Sequence, residues 1–204
     1  MPDDLFVGYI IALLSMVVGF VLNEIHYWYK DGKKTIQKEN KIAKILFTDI
    51  NAIIDSLHSY THECHRPEYD ENLEMVCIAR NAQGILMKNI LADFQTICND
   101  PTIFDNPTFQ AVFNLKLFLS EFIDRCDEVI EYDEFWTTEM RIRGVTNLDD
   151  IEDETVRQEL TESREYRFED LNHRFVRDFN LVHDKSYELK DVLITKYNFK
   201  DSEE

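Results

Sequence analysis

Within the stretch HSYTHECH, residues 58 to 65, His58 and His62 stand one helical turn apart, and Glu63, Cys64 and His65 follow immediately. Imidazole and thiolate at such short range are donors that Zn²⁺ accepts, and Cys77 or a nearby acid would supply a fourth. A structural zinc site normally draws paired ligands from two segments, and the second pair is missing. The candidate metal set His58, His62, Cys64 and His65 therefore competes with a plainer expectation, a polar helix end whose last turn favours the positive charge of His62 and His65.

Other chemistry is thinner. Asp170 and His173, three apart, would supply half of a dimetal carboxylate bundle, but no second histidine-bearing helix with inward acids accompanies them. Their neighbours Arg174, Arg177 and Asp178 describe a wet, ion-paired surface instead. His183 and Asp184 form a candidate hydrogen-bonded pair with no nucleophile motif to serve. Asp149, Asp150, Glu152, Asp153 and Glu154 lack the glycine and spacing of a calcium loop. They suit the positive end of a following helix, or the docking of a basic protein partner. The five glycines, at 8, 19, 32, 84 and 144, are too dispersed for a phosphate-binding loop. Gly32-Lys33-Lys34-Thr35 lacks the upstream glycine and preceding strand of a P-loop. No catalytic residue and no cofactor is expected.

The elements that would position these groups begin with LFVGYIIALLSMVVGFVL, residues 5 to 22, which carry no charge. At ~1.5 Å per helical residue the run approaches the ~30 Å of a bilayer's hydrocarbon, and it has almost no polar face. Tyr27, Trp28 and Tyr29 then suit the headgroup layer, followed by Lys30, Lys33 and Lys34. The start, MPDD, lacks the basic residues of a cleaved signal peptide. Six lysines between 30 and 44 face only Asp31 and Glu39, so the positive-inside bias places the remainder in the cytoplasm. Gly8, Ala12, Ser15 and Gly19 line one side of the span and would let another membrane helix approach closely.

The whole chain has 40 acidic and 22 basic side chains, a net charge of -18. Nucleic acid is thus an unpromising partner for the distal part, which keeps most of the acids. Fourteen Phe and nine Tyr provide the apolar surface a packed core needs. Cys64, Cys77, Cys98 and Cys126 form no CxxC pair, and a cytoplasmic setting implies reduced thiols used as small apolar residues.

After Asp31-Gly32, which suits either a bend or a helix continuous with the membrane span, since one glycine does not compel a stop, apolar residues recur at three- and four-residue steps. The stripe Ile42, Leu46, Ile50, Ile53, Leu57 and Tyr60 predicts a helix over 35–63. Leu73, Val76, Leu86, Ile90, Phe94 and Ile97 predict a second over 70–97. Val112, Leu115, Leu119, Phe122, Cys126 and Val129 line a third over 108–131, beyond which 137–142 suits either helix or strand. Val156, Leu160, Phe168, Leu171, Phe175, Phe179 and Val182 share the face of a fourth, with Arg164 as its polar exception; a final helix or tail covers 186–198.

The expected fold is all-α: a single N-terminal transmembrane helix within residues 1–30 and a cytoplasmic antiparallel helical bundle from 31 to 204. The leading function is a membrane-anchored interaction or adaptor module whose partners are membrane lipid and either another protein or further copies of itself. A membrane-perturbing or pore-associated effector, and a membrane-bound enzyme with a histidine/acid or metal site, are the alternatives.

Overall fold

A computed structural model describes the backbone of residues 2–65 and 71–199, and the side chains of these except 2–21, 28, 29 and 31. The chain is helical, with no strand among the described residues: α1 (Pro2–Cys64), α2 (Glu71–Ala82), α3 (Ile85–Cys98), α4 (Asn106–Arg143) and α5 (Glu154–Tyr197), plus a short 3₁₀ turn at Leu148–Asp150. Contacts divide it into two compact units, Met1–Ile42 and Ala43–Glu204. The first is a stretch of α1. Leu22, Ile25, Tyr27, Lys30, Lys33, Lys34 and Ile36 are exposed in it.

Among the described residues no helix is long and apolar enough to cross a membrane. Nearly all of the apolar run, residues 5–21, lies outside the described side chains, as do the packing row Gly8, Ala12, Ser15 and Gly19 and the rings of Trp28 and Tyr29. Of the two forms open at Gly32 the continuous helix is found: α1 runs through it, since one glycine costs a helix only about 1 kcal/mol.

The second unit is a helical bundle around the apolar stripes. Ala43, Leu46, Ile50, Ile53, Ile54 and Leu57 bury the inner face of α1. In α4, Val112, Leu115, Leu119, Phe122, Cys126 and Val129 are fully enclosed, at the three- and four-residue steps of a helix with one wet side. The helices α4 and α5 run antiparallel: Phe122 meets Phe179, Arg125 meets Asp178, and Glu128 meets Arg174, so numbers rise along one as they fall along the other.

The ends of the elements follow local chemistry. Asp105 caps α4 by accepting the Thr108 N–H at 3.1 Å, with Pro107 in the first turn, where a missing N–H costs nothing. Gly144 ends α4 at φ 73°, in the left-handed region, where its N–H donates back to Arg141. Asp153 opens α5 by accepting from Thr155 and Val156 at 3.0 and 3.2 Å.

Three expectations change here. The single helix over 70–97 is two, because the backbone turns at Gly84, where a Cβ would lie 3.0 Å from the Asn81 carbonyl oxygen. The turn resets the helical phase and leaves Leu73 and Leu86 exposed; Met75, Ile78 and Ala79, then Met87, Ile90 and Phe94, fill the core. The separate final segment is absorbed into α5, while residues 137–142 take the helical of the two forms left open for them. Cys64 and Cys77 are joined by a disulfide, with Cα atoms 5.7 Å apart, against the expectation of reduced thiols. The reason is spatial: α2 folds back beside the end of α1, a proximity that sequence spacing alone does not reveal. Cys98 and Cys126 are free, and burial pushes both thiols up, Cys126 the more strongly buried.

One polar group sits awkwardly in this core. Asp49 on α1 is half-buried, its Oδ2 has no partner among the described residues, and burial followed by the nearby Asp93 charge raises its carboxyl to about 6. The folded chain therefore holds a proton that the unfolded chain releases between about pH 4 and 6, so Asp49 makes stability fall as pH rises through that window. The full shift corresponds to about 3 kcal/mol, which solvent screening at a half-exposed site reduces to about 1. Asp49→Asn is expected to raise stability at pH 7 by about that amount and to flatten the acid-side pH profile, as measured by urea titration at pH 4.5 and 7.

Candidate functional site

The histidine-rich end of α1 does not assemble as a ligand set. Cys64 is committed to the disulfide, and Asn81 donates to its sulfur at 3.4 Å. His65 turns to Glu74 at 3.3 Å, while His58 faces away toward α5, its ring 5.6 Å from that of His183. Among the described residues no group of three or more His, Cys, Asp or Glu could hold a metal ion. The metal reading of His58, His62, Cys64 and His65 thus loses its sulfur ligand and its convergence, because helical spacing aligns side chains along a face without aiming them at one point.

The pairs farther along are surface features. Asp170 receives Arg174 at 2.6 Å, and His173 is exposed. His183 and Asp184 lie 3.2 Å apart, with His183 also against the Tyr187 ring. In the acidic run, Asp153 is the α5 cap, Glu154 pairs with Arg157, and Asp150 accepts from Thr146 Oγ1 and the Asn147 N–H at 3.0 Å each. The Thr146 bond, then the Asn147 one, holds the Asp150 carboxyl below its usual range. Asp149 and Glu152 are exposed and carry no such duty.

A charged group that sequence reasoning set aside is buried instead. Asp178, 2% exposed, takes the Arg125 Nε at 3.1 Å on one oxygen and Arg177 at 2.7 Å on the other. Arg125 also pairs with Glu128, which Arg174 reaches at 3.2 Å. This chain of charges ties α4 to α5 and accounts for one of the few buried polar residues, since a buried charge survives only when paired.

The most site-like geometry lies near the α4–α5 turn. Beyond Val129, Trp136 is the only buried residue of α4, and α5 has none before Leu171, among the described residues, so this part of the bundle is sparsely packed. A cleft of about 410 Å³ opens there between Trp136 and Met140 of α4, Val145 and Leu148 of the turn, and Arg164 of α5. A second, of about 350 Å³, shares Arg164 and Leu148 and continues toward Tyr132, Phe168 and Asn72. The Tyr132 hydroxyl donates to the Arg164 carbonyl at 3.2 Å, fixing that end of the wall.

Two polar atoms behind the walls of these clefts are sealed without a partner. Trp136 is 6% exposed, and its Nε1–H has no acceptor among the described residues; the same holds for a partner to Asn72 Oδ1. Arg80, Arg125, Arg143, Arg157, Arg174 and Arg177 each pair with a carboxylate. Arg141, Arg164 and Arg167 form no such pair among the described residues; the first two border the first cleft, and Arg167 lies over the Phe135 ring. Asp133, on the same wall, is neutralised by Arg80 at 2.7 Å. The one signal available in sequence was Arg164 itself, the cation interrupting an apolar stripe.

No protein-family model, curated protein or solved structure matches this chain.

Proposed function

We propose that the protein is a membrane-anchored helical interaction module. What carries the reading is the composition of α1, whose residues 5–22 hold no charge while its residues 43–57 supply an inner face of the bundle. Uncharged length matched to the hydrocarbon layer suits a lipid-embedded anchor, with Tyr27, Trp28 and Tyr29 and the lysines beyond them at the headgroups. An anchor confines the bundle to a surface and raises its local concentration toward partners there. The exposed acids Asp149 and Glu152, and the exposed apolar side chains of Phe135, Ile142, Tyr166 and Val176, supply charge and contact area for recognition. Small residues at 8, 12, 15 and 19 add a route to self-association within the membrane.

Carbonate washing of membranes tests the anchor. The full chain should stay with lipid and a chain lacking residues 5–22 should be released; a full chain that is monodisperse and lipid-free without detergent overturns the reading. Intact mass after mild-detergent purification then tests the module. A stoichiometric second protein lost on Asp149→Lys with Glu152→Lys supports docking, whereas a closed ring of this chain alone supports the effector alternative. Those two positions are the informative ones, because reversing Asp150 or Asp153 would also remove a cap.

The side of the membrane is drawn two ways. The lysines from 30 to 44 favour a cytoplasmic bundle. The Cys64–Cys77 bond favours the opposite reading, an oxidising compartment, where such bonds persist. Protease added to sealed vesicles of known orientation decides between them by whether the C-terminal part is shielded.

A further inference from the structure

We infer that the groove where α4 turns into α5 receives a basic peptide segment of a partner protein, an aliphatic side chain flanked by arginine or lysine. The inference rests on the interaction-module reading above, not on the anchor, and it names the chemistry of the partner. Charge is the first ground. Residues 131–170 hold fourteen acids and five arginines, with no lysine or histidine, so half of the chain's net charge of -18 lies in 40 of its 204 residues. A field of that sign draws in cations and turns away acidic chains, the same stretch of a second copy included.

Shape is the second. A groove of about 450 Å³ lies between the end of α4 and the start of α5. Its floor is aliphatic, with Val145, Ile151 and Val156 each half-buried, and its rim carries the exposed Asp150, Glu152 and Asp153. Arg143, on the same rim, is held by Glu139 at 2.6 Å. Glu152 takes part in no ion pair among the described residues, and Asp153 uses one oxygen, Oδ1, for both N–H groups of the α5 cap. Carboxylate oxygens therefore remain for incoming N–H donors, whose charge-assisted bonds are stronger than neutral ones. The partial positive charge of the α5 start does not repel a cation here, because Asp153 and Glu154 offset it.

The spread of the acids selects a peptide over a metal ion. Among the described residues no group of three or more converges to hold one cation, whereas Ca²⁺ wants about six to eight oxygens around a point. Separate carboxylates beside an aliphatic floor match separate cations on either side of an apolar side chain. Long basic side chains suit the floor as well, since their methylene stems lie on apolar surface while the charged heads reach the rim.

The test uses a rhodamine-labelled, C-amidated hexapeptide with two leucines between two pairs of arginines. The full-length chain, in buffer or in nanodiscs of neutral phosphatidylcholine, whichever keeps it monodisperse, is titrated into it and the anisotropy compared with a protein-free blank. Saturable binding with a dissociation constant of about 100 μM or tighter is expected at about 50 mM salt, weakening about tenfold at about 500 mM. Serine in place of both leucines should weaken binding about fivefold, and so should Ile151→Ser. Glu152→Lys should cost about tenfold, while Glu169→Lys, the same charge change farther along α5, should cost less than about twofold. Absence of saturation up to about 2 mM, equal binding of the leucine and serine peptides, or equal losses from Glu152→Lys and Glu169→Lys would overturn the groove. So would displacement of the peptide by Ca²⁺ at about 1 mM and not by Mg²⁺, which gives the site to a metal ion. A dimer that Ile151→Ser dissociates would overturn it too, giving the groove to a second copy. A second protein that still co-purifies with the Glu152→Lys chain would sink this inference and leave the interaction module standing. Peptide binding by a chain that carbonate washing releases from the membrane would sink the anchor alone.

Discussion

Phe122→Ala is expected to lower the unfolding free energy by about 4 kcal/mol, moving the urea midpoint of the full chain without changing its helical signal in dilute buffer. The side chain is fully buried on α4, and its ring lies 5.6 Å from Phe175 and 5.8 Å from Phe179. Truncation removes the transfer energy of the ring and opens a cavity that the two long helices α4 and α5 cannot close by local shifts. It also removes two tilted or edge-on ring contacts, each worth about 0.5–1.5 kcal/mol beyond area burial. Phe122→Leu, which refills most of the volume, should recover more than half of the loss. A loss below about 1 kcal/mol would mean that the α4–α5 seam is not the centre of the bundle.

Asp178→Asn is the second large effect, expected at about 3 kcal/mol. The amide keeps the shape of the carboxylate but leaves Arg125, whose side chain is 15% exposed, with Glu128 as its remaining ion-pair partner. Breaking a buried pair costs more than the pair contributes, because Arg125 stays desolvated with only the half-exposed Glu128 beside it. A control separates these quantities. Arg125→Met combined with Asp178→Leu removes both charges and should lose clearly less than the sum of the single changes, as read from a double-mutant cycle in urea. Additive losses would contradict the coupling. Because Phe179 adjoins Asp178 in the chain and touches Phe122, the Phe122 and Asp178 changes should themselves couple when combined.

How much of this was legible beforehand varies by element. The α4 stripe from Val112 to Val129 is buried residue for residue, because a long amphipathic helix with one wet side states its phase repeatedly. The break at Gly84 was not legible: 70–97 carries a passable stripe throughout, and only the close approach of Asn81 fixes where the backbone turns. Asp178 was assigned to a wet surface beside Arg174 and Arg177, since its burial depends on Arg125, 53 positions earlier. The Cys64–Cys77 bond was missed for the same reason, being a property of how α2 returns to α1. The cleft left one trace, the cation at 164 amid apolar neighbours. The burial of Trp136 behind it is invisible until the helices are placed.

The covalent link between Cys64 and Cys77 closes a ring in the chain that spans 13 positions and contains Pro67. A single nick inside that ring severs the polypeptide without parting it: the piece bearing α1 and the piece bearing α3 to α5 migrate as one on a denaturing gel until a thiol is added. Cleavage there would be silent in any oxidising setting, and in a reducing one only the packing of the α1 stripe from Ala43 to Leu57 would still hold the two pieces together.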